Sequence, residues 1–269
     1  MGEPGAAAVP ETQDGPVRFE PRTAVHDRAW QESRLAACGV DPALFGAVAE
    51  AGLFGQDCFR MMTLSGETLD GMVHMGQRFR LHRQVALGER LHQTGWIASN
   101  EEHPRGRSIV QRFAFHGADR SLALEADMYR LTPDASRMGA RERSGSGGSD
   151  PREGLVHLAD RTMRPDDVTG FSSDVGNRIH FEPAFAARYG YRAPLAQGIQ
   201  TQVWMMGLLA ARGVPVALDV TARFARPVHW DDEICLWSSS PAPGAGDVVR
   251  VIDPQGVLRA EMRIAHLCR

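Results

Sequence analysis

The sequence predicts an α+β fold in which one structural unit occurs twice along the chain. A glycine-, serine- and charge-rich stretch, ASRMGARERSGSGGSD, divides the chain into two parts of similar size. Residues 113–131 align without gaps on residues 249–267, with Leu122 opposite Leu258, and each stretch predicts a β-hairpin. Both parts also follow the same order of helix, strand, acidic turn, strand, strand and hairpin. These three observations favour a duplicated unit.

The domain boundaries follow from composition. Residues 1–16 are rich in Gly, Ala, Pro and Glu and lack periodicity, so we expect a flexible tail. The first unit is then predicted over residues 17–134, a linker over 135–154, and the second unit over 155–269. Of the two units, only the second carries a candidate catalytic motif, so we expect the first to be a degenerate copy.

The elements of the second unit are the easier to place. An apolar helix is predicted over residues 199–212, ended by Gly213, with strands near 216–228, 233–239, 247–252 and 257–266. In the first unit, residues 78–91 resemble residues 223–236, since each joins a strand to an acidic turn and a further strand. The first unit's helix is predicted either at residues 42–52 or around residues 64–75.

Composition limits the class of protein. Apolar residues make up 43% of the 269, enough for a substantial core. With 30 Lys and Arg against 33 Asp and Glu, no strong field favours nucleic acid or an anionic membrane. No apolar run approaches the roughly 18 residues of a membrane span, so we expect a cytoplasmic protein. The widely spaced cysteines predict reduced thiols and no zinc site; they are Cys38, Cys58, Cys235 and Cys268.

The candidate catalytic residues are concentrated in residues 171–201. Asp174, Asn177 and His180 supply a carboxylate, an amide and an imidazole, which together can hold and deprotonate a water molecule. Gly198 then precedes the long apolar helix, whose first N–H groups can stabilise an oxyanion. This combination predicts chemistry on a carbonyl compound.

Each of these residues also has a structural interpretation. His180 could pack or cap the short helix predicted at Pro183, and Asp174 could belong to an ordinary turn. Asn177 could shape the same turn, since it tolerates left-handed backbone. Gly198 could simply allow the helix to pack closely on the sheet. These alternatives stay open at the level of sequence.

The motif resembles that of the MaoC-like, (R)-specific enoyl-CoA hydratase family. The resemblance rests on N-R-I-H-F-E at 177–182 and P-L-A-Q-G at 194–198. The family signature is S-G-D-x-N-P-I-H, followed later by a helix that opens with H-G. Val175 stands here at the place of the family's aspartate, five residues before the histidine, and Asp174 is one position earlier. Arg178 replaces the usual proline, and Gln197 replaces the histidine before the glycine.

The resemblance implies a double hotdog, in which an antiparallel sheet wraps around a long helix in each half. It implies hydration of a 2-enoyl thioester, or dehydration of a 3-hydroxyacyl thioester, as in fatty acid or polyketide metabolism. His180 would be the base, helped by Asp174 or Asn177, and the Gly198 N–H would polarise the thioester carbonyl.

Substrate contacts and partners complete this prediction. Gln197, Gln200 and Thr201 are predicted to line the pocket, whereas Arg223 and Arg226 would meet the phosphates of coenzyme A or of a carrier's phosphopantetheine. Pairing with neighbouring acids explains both arginines equally well. We expect no metal or redox cofactor, and either a monomer or a homodimer.

Two alternatives keep the fold and change the function. The pocket could add another nucleophile to an unsaturated acyl group, or hydrolyse the thioester. The chain could also be a non-catalytic acyl-binding partner subunit, which Val175 and Gln197 would favour because they replace the family's acid and histidine.

Overall fold

The computed structural model describes residues 17–134 and 150–269 of the chain. The predicted tail at 1–16 and residues 135–149 of the predicted linker lie outside the described residues. The strands, in chain order, are β1 (Arg22–Ala24), β2 (Val73–Leu81), β3 (Leu91–His103), β4 (Gly106–His116), β5 (Leu122–Pro133), β6 (Val156–Thr162), β7 (Ala217–Phe224), β8 (Glu233–Ser238), β9 (Val248–Ile252) and β10 (Leu258–Cys268). The α-helices of the described residues are α1 (Arg28–Ala37), α2 (Phe54–Leu64), α3 (Pro165–Ser172), α4 (Pro183–Arg188) and α5 (Gly198–Ala210).

The ten strands form one antiparallel sheet in the order β1-β3-β4-β5-β2-β7-β10-β9-β8-β6. Outward from the central β2–β7 pair, one half runs β2-β5-β4-β3-β1 and the other β7-β10-β9-β8-β6, so the strand order of one half is repeated in the other. The two sheets predicted from the sequence are therefore joined edge to edge, with Phe79 of β2 opposite Val220 of β7. This arrangement is the expected double hotdog.

The two hairpins predicted from the internal alignment are confirmed, including their register. Phe113 lies opposite Ala126 in the β4–β5 pair, and Val249 lies opposite Met262 in the β9–β10 pair. These pairs are equivalent in the gap-free alignment. The similarity between the halves therefore reflects the same pairing of strands.

Helix α5 is the central helix of the second half, close to its predicted bounds. It ends where the N–H of Gly213 bonds to the carbonyl of Ala210 at 2.9 Å, with Gly213 at a φ of 112° that favours glycine. All of its residues except Gly198 and Leu208 are buried, as expected for a helix enclosed by a sheet.

Both predicted positions for the first half's helix are wrong, because α2 lies between them. Short 3₁₀ turns at Pro42–Phe45 and Ala51–Leu53 occupy the earlier segment, and strand β2 begins inside the later one. The buried carboxylate of Glu50 accepts the N–H of Leu53 at 2.9 Å, which fixes the approach to α2. Burial raises the pKa of Glu50 to about 7.

The two central helices pack closely through glycines of the first half. A β-carbon at Gly55 would lie 2.4 Å from the side chain of Ile199, and one at Gly52 would lie 3.0 Å from Val203. Small residues thus allow the 3₁₀ turn at Ala51–Leu53 and the first turn of α2 to lie close to α5. Among residues 17–134 and 150–269, no helix combines the length and apolar character of a membrane span.

A substitution at Gly76 tests how tightly the two halves pack where β2 meets β7. It lies opposite Arg223 in the β2–β7 pair, where a β-carbon would lie 2.5 Å from the carbonyl oxygen of Ala222. We expect Gly76→Ala to lower the free energy of unfolding by about 1–3 kcal/mol, because backbone atoms must move to accept the methyl group. Urea unfolding measures this change.

Gly170→Ala is the matched control, since no heavy atom lies within 4 Å of the added methyl group. Alanine is favoured over glycine in a helix by up to about 1 kcal/mol, so this variant should be at least as stable as the parent. Equal unfolding midpoints for the two variants would contradict a tight β2–β7 junction.

Candidate active site

His180 is presented by a short turn that Asn177 caps. Residues Arg178–His180 form a 3₁₀ turn, and the Asn177 side-chain oxygen accepts the N–H of Ile179 at 3.3 Å. The N–H of His180 bonds to the Asn177 carbonyl at 3.2 Å. Asn177 is itself buried. Its contacts therefore match the structural interpretation of this residue, which is to shape the turn that carries the imidazole.

The ring of His180 is oriented by a backbone carbonyl. Its Nδ1 lies 2.7 Å from the carbonyl oxygen of Leu195. Since a carbonyl only accepts, Nδ1 must carry the hydrogen, and in the neutral ring Nε2 then keeps its lone pair. The N–H of Leu195 in turn bonds to the carbonyl of Ile179 at 3.1 Å, so the two segments hold each other.

Burial keeps this imidazole neutral. It lowers the pKa of His180 to about 4, although the bond to the Leu195 carbonyl works in the opposite direction. At neutral pH the ring is therefore uncharged and Nε2 is available to accept a proton. These are the properties of a general base whose second nitrogen is already occupied.

The start of α5 follows Leu195 closely. The N–H of Thr201 bonds back to the carbonyl of Gln197 at 3.3 Å, and the N–H groups before it lie at the positive end of the helix dipole. A β-carbon at Gly198 would lie 2.5 Å from the ring of Phe224, so the glycine is required for packing. Close packing against Phe224 therefore matches the structural interpretation of Gly198.

Two of the other pocket residues predicted at the start of α5 form hydrogen bonds with the first half of the chain. Gln197 accepts a hydrogen bond from Gln56 of α2 at 3.0 Å, and Gln200 donates to the carbonyl of Ala37 at 2.8 Å. Gln197, Gln200 and Thr201 are all buried. Gln197 and Gln200 therefore hold α5 against the first half of the protein.

Asp174 is directed towards the first half of the chain. Its Oδ2 lies 3.0 Å from Arg34 and 3.2 Å from the indole nitrogen of Trp30, and it also pairs with Arg60. Burial acts to raise the pKa of Asp174, but the bonds from Arg34 and Trp30 outweigh it and hold that pKa below its usual value. These contacts place the carboxylate with two arginines and an indole instead of with the ring of His180.

The two predicted phosphate-binding arginines lie on and beyond β7. Phe224 points towards α5, so its neighbour Arg223 points to the opposite face of the sheet. There it lines an open groove together with Pro151, Thr221, Arg250, Leu258, Glu261 and Arg263. Arg226 is exposed past the end of the strand, and its N–H bonds to the carbonyl of Arg259 at 3.2 Å. The structure does not bring either arginine to His180.

Sequence reasoning missed His74 and Phe224, which contact each other in this region with ring centroids 4.8 Å apart. His74 is on β2 and Phe224 is on the adjoining strand β7. The repeated Arg-Phe pair gave no guide to Phe224, because Phe79 lies opposite Ala126 whereas Ala222 lies opposite the equivalent Met262. For His74 there was no motif, because it becomes part of the site only through the pairing of the two halves.

Two further features lie away from His180. A partly open cavity of about 20 Å³ is lined by the later turns of α5, including Met206, Leu209 and Ala210, and has room for about one water molecule. At the β6 edge of the sheet, His157, Asp160 and Cys235 lie close enough to share a metal ion. A hydrogen bond of 2.7 Å already joins His157 to Asp160, and Asp160 is exposed.

Known structures share this fold across nearly the whole chain. HtdX from Mycobacterium tuberculosis superposes with a TM-score of 0.75 at 18% identity, covering 93% of this chain and 100% of its own. A MaoC-like dehydratase from Phytophthora capsici gives a TM-score of 0.68 at 14% identity, covering 97% of this chain and 99% of its own. No family profile matches the sequence. No curated protein matches it either.

Other proteins with the same architecture extend the comparison. A second M. tuberculosis protein, described as a double hotdog fold, gives a TM-score of 0.60 at 14% identity, covering 91% of this chain and 94% of its own. An acyl-ACP thioesterase from Bacteroides thetaiotaomicron gives 0.58 at 11% identity, covering 91% and 96%. The chain therefore has the double-hotdog fold that MaoC-like dehydratases also have, which confirms the predicted resemblance at the level of architecture.

Proposed function

We propose that this protein adds water to a 2-enoyl thioester, or removes it from a 3-hydroxyacyl thioester. The observation that carries the proposal is the placement of His180, a neutral imidazole with its Nε2 lone pair available, on the segment that leads into α5. A base and a group of N–H donors on adjoining backbone are the two components that the reaction needs. The shared fold of dehydratases supports the same conclusion.

The proposed mechanism uses only groups of the protein. Nε2 of His180 accepts a proton from water as the water oxygen bonds to C3 of the enoyl group. The π electrons move towards the thioester carbonyl, and the N–H of Gly198 stabilises the enolate at the positive end of α5. The imidazolium then returns the proton to C2. Dehydration is the same sequence in reverse.

The thioester would be carried by coenzyme A or by the phosphopantetheine of a carrier protein. Arg226 is exposed two residues past the end of β7, the strand that carries Phe224, and of the two arginines it is our candidate for contact with a phosphate. Arg223, on the opposite face, could contact only a carrier that extends around the edge of the sheet.

Thioester hydrolysis is the second candidate, and the fold shared with an acyl-ACP thioesterase favours it. The same base could direct water to C1 of the thioester instead of C3, since Val175 offers no second carboxylate to fix the water. Mass spectrometry separates the two reactions. Hydration adds one water to an intact thioester, whereas hydrolysis releases a free thiol and an acid.

Removal of the proposed base gives the first functional test. We expect His180→Ala to lower kcat for crotonyl-CoA hydration by about 10²–10⁴-fold, because the water would lose the base that takes its proton. Hydration is followed by loss of the conjugated enoyl absorbance. His92→Ala is the control, since His92 is exposed on β3; equal rates in the two variants would refute His180 as the base.

Asp174→Asn tests the position of the carboxylate. Its contacts with Arg34 and Arg60 predict a loss of stability with at least a tenth of wild-type kcat retained, because the group is held by arginines and not by the water. Thermal unfolding and hydration rates should be measured together. A kcat as low as that of His180→Ala, at unchanged stability, would show that Asp174 belongs to the catalytic group.

The pH dependence follows from the lowered pKa of His180, about 4. kcat/KM should stay flat from about pH 8 to about pH 6 and fall only as the ring gains a proton near pH 4. An unfolded histidine binds that proton near pH 6.5, so the free energy of unfolding should also decrease as pH falls from about 6.5 towards 4. A kcat/KM midpoint near pH 6.5 would contradict a base whose pKa is lowered in this way.

A further inference from the structure

His74 enters the candidate site from the first half of the chain. It lies on β2, with its ring 4.8 Å from Phe224 of β7 and 5.3 Å from Phe59 of α2, both in edge-to-face contact. Phe224 also packs directly against Gly198, where a β-carbon would lie 2.5 Å from its ring. One aromatic ring therefore contacts both His74 and the first residue of α5.

The hydrogen bonding of His74 leaves one nitrogen without a partner. Nε2 lies 3.2 Å from the side-chain oxygen of Gln77, so Nε2 carries the hydrogen and Nδ1 keeps the lone pair. Within the described residues, Nδ1 is buried and has no hydrogen-bond partner. A buried acceptor left unpaired is unfavourable, and a bound molecule that donates a hydrogen bond would satisfy it.

His180 also acts on His74 electrostatically. The pKa of His74 is lowered to about 4, mainly by burial, and the charge that His180 would carry when protonated acts in the same direction. Both rings are therefore neutral at pH 7, with one unprotonated nitrogen each. Two such acceptors can take both hydrogens of a single water molecule, which a histidine alone cannot do.

We propose that His74 is a second catalytic residue, whose Nδ1 accepts a hydrogen bond from the same water that His180 deprotonates. The inference rests on the proposed hydratase function. Val175 places an apolar side chain where a carboxylate would be expected, and the imidazole of His74 supplies the missing second acceptor from the opposite half. One O–H bond of the water breaks towards His180 as C–O forms at C3, whereas His74 stays neutral and fixes the other O–H.

Three substitutions at this position separate catalysis from packing. His74→Leu removes both nitrogens, His74→Asn keeps a polar atom near Nδ1, and His74→Gln keeps one near Nε2, where Gln77 is bonded. We expect about a 100-fold lower kcat in the Leu variant with KM changed less than threefold. The Asn variant should recover at least tenfold over Leu, and the Gln variant should not.

A purely structural role predicts the reverse order, because only Gln preserves the contact with Gln77. His92→Leu controls for loss of an unrelated histidine, and thermal unfolding checks that each variant is folded. If the Leu variant does not fold, the comparison of the Asn and Gln variants still distinguishes a catalytic from a structural role of His74. Equal rates in those two, or a higher rate in Gln, would overturn the role of His74.

The same experiment separates failure of the inference from failure of the function. A wild-type protein that hydrates none of a panel of enoyl-CoA and enoyl-pantetheine thioesters overturns the proposed function, and with it the role of His74. An active wild type in which all three variants keep full kcat overturns only the role of His74.

Discussion

The pairing of β2 with β7 is the contact on which both the architecture and the candidate site depend. It joins two five-stranded halves into one sheet, and it brings His74 of one half beside Phe224 of the other. Phe224 then sets the position of Gly198, three residues after the carbonyl that orients His180. A site assembled in this way requires both halves, even though the recognisable motif lies in only one of them.

Asp174, the acid that precedes His180 in the predicted motif, helps to hold the two halves together. Arg60 of α2 pairs with Asp174 and also lies 3.4 Å from Asp57, which in turn accepts a 2.7 Å hydrogen bond from His26. His26 and Asp57 are almost completely buried, so removing either partner would leave an uncompensated polar group in the core. The segment before His180 is therefore anchored to the first half by charge, in addition to the packing of α2 on α5.

Local patterns predicted the parts of the fold that depend on nearby residues. The hairpins could be predicted from their alternation and from the alignment of the two halves, and α5 from its apolar run and Gly213. Helix α2 could not, because its sequence, FGQDCFRMMTL, is buried on most sides and begins after a 3₁₀ turn held by Glu50. The partners of Asp174 could not be predicted from the sequence either, since Trp30 and Arg60 are 144 and 114 residues away along the chain. His74 was missed for the same reason, because its neighbours come from the pairing of distant strands.

The central claim is that His180 is a neutral imidazole with its hydrogen on Nδ1, and nitrogen-15 NMR of the histidine rings tests it directly. The account predicts that His180 shows the Nδ1–H tautomer at pH 7 and remains neutral as the pH is lowered to about 5, because burial depresses its pKa to about 4. An Nε2–H tautomer, or a ring that is already protonated at pH 6, would contradict the claim, since neither leaves Nε2 able to accept a proton from water.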